Sequence, residues 1–294
     1  MKNTVIRIVV LLILQTLWLE KSHSGDTGSP QFNEELSKQE QIYQSRGDQV
    51  PEGYVIDRSL LSYTHTLSSE FDRSLANLGS KDRWLDIGAG QGQAILDYFT
   101  SRYDHMHFDG QERADRKAQA VAMSIEDRRT PLWHQTAASL GANQIQYMCN
   151  RRLREYSSEE LGQFQVITDV IGGFSYTQDL SLFMGKSLGF LKLDGSFYTV
   201  LQDVHSKDGT NKPFYEGSPF LTEIANADGS EVRVCSWLKS ITCVEVTCEL
   251  KMKWKPPIET YRIHKVCNEV AVPALVPTHY EAGTPPERRF QLRK

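Results

Sequence analysis

Trp84-Leu85-Asp86-Ile87-Gly88-Ala89-Gly90-Gln91-Gly92 reads as a strand that delivers an acid and then breaks into a loop of three glycines. Arg83 to Ile87 is short and apolar, as a buried strand requires, and 88–92 is a tight turn. The segment from Gln91 to Tyr103 reads as a helix with Ile95, Tyr98 and Phe99 on one face. Glycines let backbone come close to a ligand. The helix that follows offers free N–H groups and a positive dipole end to an anion. Asp86, just before the turn, is placed to receive a cation. A site that takes an ammonium and a carboxylate together fits the amino-acid end of a ligand.

Working outward, the chain alternates. Upstream, a helix is expected from Asp57, with Leu60, Leu67, Phe71, Leu75 and Leu78 on one face and Gly79 at its end. Downstream, Ala118 to Ile125 reads as a strand, Thr130 to Leu140 as a helix stopped by Gly141, and Gln144 to Cys149 as a third strand. Ser157, with Glu159 and Glu160, opens a short helix. Phe164 to Asp169 is a fourth strand, Asp179 to Leu191 a helix and Gly195 to Leu201 a fifth strand. This order predicts a parallel sheet with helices on both faces. Ile241 to Trp254 and Ile258 to Cys267 alternate around Pro256-Pro257, an antiparallel hairpin at the sheet edge. The expected fold is α/β: a three-layer, Rossmann-like, seven-stranded, mostly parallel sheet with an antiparallel C-terminal hairpin.

The glycine segment resembles motif I of the class I S-adenosylmethionine-dependent methyltransferases, and the likeness spans roughly residues 60 to 268. A nicotinamide or flavin dinucleotide fold wants G-x-G-x-x-G, and here the sixth position is Gln93. The resemblance implies S-adenosylmethionine as cofactor, held by Asp86, Gly88, Ala89, Gly90 and Gly92. It further implies an acid for the ribose hydroxyls at the end of the second strand, where Glu126 stands. Glu126 lies 34 residues after Gly92, more than the usual spacing of about 20; the polar insertion from His105 to Arg116 absorbs the excess. Asp109 and Glu112 fit that spacing better but end no apolar strand. Asn150 and Arg151 occupy the place of adenine contacts, with a solvated charge as the plainer role for Arg151.

The fourth strand ends Thr168-Asp169-Val170-Ile171-Gly172-Gly173-Phe174, without the Asn-Pro-Pro-Tyr of the branch that methylates DNA bases and glutamine. That substrate class is therefore not assigned. Asp169 and His205 are the expected catalytic residues, with His134, Tyr176 and His65 as further candidates for a base. For Asp169 the equal alternative is capping of the loop backbone. Phe214, Tyr215, Phe220 and Trp237 stand either in an acceptor lid or in the core.

The remaining sequence bounds the context. With 294 residues, 33 Lys+Arg against 37 Asp+Glu and 39% hydrophobic residues, the composition is that of a globular chain. Its net charge of −4 argues against nucleic-acid binding by bulk charge, so no nucleic-acid partner is expected. Residues 1–24 carry Lys2 and Arg7 before an apolar run from Ile8 to Leu19, then Ser22 and Ser24. This reads as a signal peptide or signal anchor; at about 20 residues for a bilayer span the run is short. The protein is thus expected to be exported, periplasmic or secreted, or membrane-anchored through that segment if it is uncleaved. It is cytoplasmic if the segment is no functional signal.

The expected organisation is a polar lead-in over 25–56, a methyltransferase-like domain over 57–268 and a C-terminal tail over 269–294, solvated from Pro285. Of the five cysteines, Cys149, Cys235, Cys243, Cys248 and Cys267, none forms C-x-x-C, so no metal is expected. The last four are free thiols or form one or two disulfides, with the hairpin bringing Cys248 near Cys267. The expected function is methyl transfer from S-adenosylmethionine to a small-molecule or exported acceptor. The alternative is a non-catalytic methyltransferase-like binding or scaffold protein in an exported compartment, since the donor is a cytosolic compound.

Overall fold

The computed structural model describes residues 58–100, 116–141, 143–202, 221–251, 258–283 and 285–293, with positions 30, 33, 34, 37 and 38 besides. The signal-like segment 1–24, most of the polar insertion, His205, Phe214, Tyr215 and Phe220 lie outside the described residues.

Two short helices open the domain, α1 (Leu60–Thr66) and α2 (Glu70–Ala76). The single helix expected from Asp57 is therefore broken. Leu67 is extended, Ser69 precedes the second helix, and the Lys251 ammonium bonds the carbonyls of His65 and Leu67 that the break sets free. The apolar face survives the break: Leu60, Leu67, Phe71, Leu75 and Leu78 are all buried. The C-cap is Asn77 rather than Gly79.

The alternation follows as read. β1 (Arg83–Ile87) leads to α3 (Gln93–Thr100), β2 (Gln119–Met123), α4 (Pro131–Leu140) and β3 (Ile145–Met148). A 3-10 turn (Leu153–Glu155) and α5 (Ser158–Leu161) lead to β4 (Phe164–Val170), α6 (Gly173–Tyr176), α7 (Leu180–Gly189) and β5 (Leu191–Gln202). The helix starts obey local chemistry. Thr130, Ser157 and Asp179 each accept a hydrogen bond from a backbone N–H in the first turn, and Ser157 with Glu160 closes a capping box. After β6 (Thr222–Ala225), β7 (Glu231–Val232) and α8 (Val234–Lys239) come β8 (Val244–Lys251) and β9 (Ile258–Lys265), then β10 (Leu275–Glu281) and β11 (Glu287–Leu292).

The main sheet has seven strands in the order β3-β2-β1-β4-β5-β9-β8. β1 to β5 are mutually parallel, and β9 and β8 add antiparallel at the edge. Alternate residues face opposite layers. Leu85, Ile87, Ile167 and Phe197 enter one hydrophobic cluster, and Trp84, Val166, Tyr198 and Val200 enter the other. The strand order reverses between β1 and β4: β2 and β3 add on one side of β1, and β4 and β5 on the other. That is the topological switch point, where open α/β sheets form a crevice at the carboxyl ends of the strands.

A second sheet, β10-β11-β6-β7, departs from the sequence reading. The segment from Pro285, expected to be a solvated tail, contains β11. It pairs parallel with β6 and buries Phe290 and the whole of Arg288. Trp237 on α8 lies in the core and donates to the Pro273 carbonyl, so it serves packing rather than a lid. The disulfides are Cys235–Cys248 and Cys243–Cys267, which corrects the suggested proximity of Cys248 to Cys267. Cys248 and Cys267 fail to meet because β9 pairs with β8 in a register that sets Val244 opposite Lys265 and Cys248 opposite Tyr261. Cys149 is a free thiol.

Candidate functional site

The three loop glycines all adopt left-handed backbone, with φ of 72° at Gly88, 57° at Gly90 and 78° at Gly92. Side-chain-bearing residues rarely hold that conformation. Two of these glycines also answer to close approaches. A Cβ at Gly88 would lie 2.9 Å from the Cα of Gly172, so the loops after β1 and β4 touch backbone to backbone at the switch point. A Cβ at Gly92 would lie 2.4 Å from the Trp133 ring on α4. Tyr147 on β3 completes the support by donating its hydroxyl to the Gly90 carbonyl at 2.5 Å. The Ala89 N–H donates to the Met123 carbonyl, tying the loop to β2.

Above this loop lies a cavity of about 300 Å³, at the small end of the range for small-molecule sites. Gly88 and Gly90 line it from below, Ser124 and Glu126 from the end of β2, and Ile171 to Gly173 from the loop after β4. Arg151 to Arg154 and residues 176–179 close the sides. Glu126 is half-buried and its carboxylate accepts from Arg128 at 2.7 Å.

Asp86 is not a wall of this cavity. It is fully buried, and it accepts from the Tyr63 hydroxyl of α1 at 3.0 and 3.1 Å and from the Thr168 hydroxyl of β4 at 2.7 Å. Thr168 in turn accepts from the Trp84 indole N–H at 2.8 Å. Burial is the main cause that raises the Asp86 carboxyl to about 7, partly offset by those hydrogen bonds. The expected seat for a ligand cation is therefore a relay under the floor, from Trp84 through Thr168 and Asp86 to Tyr63.

Asp169 takes the capping role. Its two oxygens accept from the N–H groups of Gly172 at 2.9 Å and Phe174 at 3.1 Å, and its side chain is fully buried, outside the cavity lining. The correction has a plain cause: the turn after β4 points its amides back at the strand end, and the carboxylate is the group that satisfies them. Burial raises this carboxyl too, to about 7. Asn150 stands outside the cavity lining, exposed, with φ 65°, because its N–H donates to the Ile125 carbonyl and turns the chain. Its neighbour Arg151 lines the cavity while pairing with Glu160 at 2.8 Å. Of the base candidates among the described residues, Tyr176 lines the cavity and His65 and His134 do not.

Arg288 went unnoticed in the sequence. It is fully buried and donates to the carbonyls of Phe174 at 3.0 Å and Thr177 at 2.7 Å and to the Thr222 hydroxyl at 2.7 Å. Burial lowers its guanidinium to about 10. It is the pin between the second sheet and the turn that forms one wall of the cleft. No sequence signal marks it within a basic C-terminus.

The strand order, with the glycine loop and the β4 loop meeting at its switch point, decides the architecture. This is a Rossmann-like α/β fold. No protein-family model matches the sequence, and no curated protein does. Among solved structures, the chain is similar to a putative rRNA methylase from Clostridium thermocellum, at 12% identity over 72% of this chain and 98% of that one, TM-score 0.40. It is also similar to the N-methyltransferase NodS from Bradyrhizobium japonicum, at 13% identity over 67% and 93%, TM-score 0.39. An rRNA methylase from Streptococcus thermophilus aligns at 11% identity over 67% and 94%, TM-score 0.38. Likeness at this level adds nothing to the argument from strand order.

Proposed function

We propose that the protein is an S-adenosylmethionine-dependent methyltransferase. The observation that carries the reading is the loop 88–92, with three left-handed glycines opening on a cavity at the switch point of the sheet. S-adenosylmethionine, when bound, supplies a methyl group on a sulfonium centre, and the transfer is an in-line displacement governed by alignment and exclusion of water.

The chain's own residues fit that donor. Gly88 and Gly90 present bare backbone to the cavity. Glu126, at the end of β2, offers a carboxylate to ribose hydroxyls. The 151–154 segment covers the side where an adenine lies in this reading. Tyr176 is the group of the cavity wall able to orient an acceptor or take its proton; Asp169 holds the Tyr176 helix in place by capping its first turn. His205 keeps its proposed place as a second catalytic group. Export is supported by the signal-like residues 1–24 and by two disulfides, which persist in oxidising compartments.

The scaffold reading draws on one observation, the engagement of the Asp86 carboxylate by Tyr63 and Thr168. Calorimetric titration of S-adenosylmethionine into the purified protein decides between them. Micromolar binding, weakened by Gly90→Val, is expected. Absence of heat at millimolar donor, with a cooperative melt showing the protein folded, overturns the methyltransferase reading.

A further inference from the structure

The cavity is divided by charge. Arg58, Arg128, Arg151, Arg152, Arg154 and Glu126 all reach it from the segments ahead of α1, after β2 and after β3. Charges of this half answer one another within the protein: Arg128 pairs with Glu126 at 2.7 Å and Arg151 with Glu160 at 2.8 Å. In the sheet, β2 and β3 lie on one side of β1 and β4 on the other. The charged half is the one given above to the donor's ribose and adenine.

The other half is built after β4 and by the second sheet. Ile171, Tyr176, Leu182 and Phe183 arrive with the β4 loop, α6 and α7, and Tyr280 arrives with β10. The polar side chains between them, Thr177 and Gln178, are neutral. Among the described residues the charged group lining this half is Asp179, which caps α7 through the Leu182 N–H at 3.0 Å. Behind the wall, Asp169 and Arg288 turn to its backbone: Asp169 accepts from the N–H groups of Gly172 and Phe174, and Arg288 donates to the carbonyls of Phe174 and Thr177. The Tyr280 hydroxyl donates to the Tyr176 carbonyl at 3.2 Å, so the second sheet braces the wall that it lines. Arg152 marks the border, where its charge acts on Tyr280.

A charged group entering this half gives up hydration for apolar and aromatic surface, where the protein's own charges are engaged with backbone. An uncharged ring gains there. Phe183 and Tyr280 are buried and present fixed aromatic surface, and Leu182 keeps 43% of its surface exposed for a ligand to cover. We infer that the methyl acceptor is a small uncharged molecule whose flat apolar body rests against Ile171, Leu182, Phe183 and Tyr280 and whose hydroxyl, turned toward Tyr176, takes the methyl group. A lone pair of that hydroxyl oxygen forms the bond to the methyl carbon as the carbon–sulfur bond breaks. The sulfonium becomes a neutral thioether, and the hydroxyl proton passes to water. The inference rests on the methyltransferase reading for the transfer; the uncharged binding site stands on the wall alone.

Three naphthalene probes test it: naphthol, naphthoate and naphthylmethylammonium. Each is titrated calorimetrically at neutral pH into the full chain, with and without saturating S-adenosylhomocysteine to fill the charged half. Naphthol is expected to bind about tenfold tighter than either ion, since each ion loses hydration there without a partner. Leu182→Lys, at an exposed position, sets a cation in the uncharged half. It should weaken naphthol by about tenfold and make naphthoate the tighter of the two, through a charge-assisted bond. Leu182→Gln should weaken naphthol with no gain for naphthoate. Melting temperatures establish that the variants fold; if the lysine variant does not, the glutamine variant and the parent's ranking decide the matter.

Naphthoate as tight as naphthol in the parent with S-adenosylhomocysteine bound overturns the inference, as does a ranking that Leu182→Lys leaves unchanged. Naphthylmethylammonium binding tightest overturns it in favour of a cation held on the tyrosine faces. Absence of binding by all three probes at millimolar concentration overturns it as well. Naphthol preference that Leu182→Lys reverses, without binding of S-adenosylhomocysteine, leaves the uncharged site standing and removes the methyltransferase reading. Binding of S-adenosylhomocysteine without naphthol preference does the reverse.

Discussion

At the scale of single residues, the site depends on backbone that only glycine tolerates and on two acids sunk below the ligand surface. Gly92→Ala places a methyl group against the Trp133 ring at a φ of 78°. The combined strain and overpacking are expected to cost about 2–4 kcal/mol, read as a lowered denaturant midpoint with loss of donor binding. Asp86 carries a pH signature. Its carboxyl is raised from 3.8 to about 7 in the folded protein. Between those values the native state binds more protons than the unfolded chain, so stability falls as pH rises through the window and is level above it. Asp86→Asn keeps the side-chain volume and removes that titration. Its unfolding free energy is expected to decline less steeply between pH 5 and 7, by up to about 1.4 kcal/mol per pH unit. Some slope remains, because Asp169 is raised to about 7 as well. An identical slope in Asp86→Asn and the parent would remove Asp86 from this role.

At the scale of elements, the edge hairpin is secured covalently. Cys235–Cys248 ties α8 to β8, and Cys243–Cys267 ties the residue before β8 to the segment after β9. They close separations of 13 and 24 residues, and each is expected to contribute about 3 kcal/mol. Peptide mapping without reduction should recover these two linked pairs, with Cys149 alkylated alone. A Cys248–Cys267 peptide would contradict the register of β8 on β9. Lys265 on β9 adds a polar clamp. Its ammonium donates to the Leu188 carbonyl at 3.0 Å and the Leu191 carbonyl at 2.8 Å, closing the end of α7.

At the scale of the whole molecule, Arg288 ties the second sheet to the wall of the cleft. Replacing it with Met keeps the stem but leaves the carbonyls of Phe174 and Thr177 and the Thr222 hydroxyl without that donor. Unsatisfied buried groups of this kind cost about 1–3 kcal/mol each. The variant is expected to lose several degrees of melting temperature and, because residues 176–179 line the cavity, to weaken donor binding although Arg288 touches no ligand. Wild-type donor affinity in a destabilised Arg288→Met would show that the sheet supports stability alone.

The legible part of the fold was local. Five parallel strands, their intervening helices and the edge hairpin follow from apolar runs and periods that span a few residues. The bounds of β1 match the reading from Arg83 to Ile87, and Ser157 caps where its side chain predicts. The break between α1 and α2 was hidden because both halves bury the same apolar face. β6, β7, β10 and β11 are short or lie in polar sequence, and they become strands only by pairing with one another.

The site divides the same way. The glycine loop was visible because left-handed backbone has its own residue type. The partners of Asp86, Asp169 and Arg288 stand 23, 82, 5 and 114 residues away along the chain, and apart from the near turn capped by Asp169 no local pattern encodes them. By itself the sequence determined where strands, turns and caps form, since those depend on neighbouring residues. Only the tertiary structure decided which acid lies under the floor, which one caps a turn, and which arginines share a wall. Those outcomes depend on which distant segments the sheet order brings to one edge.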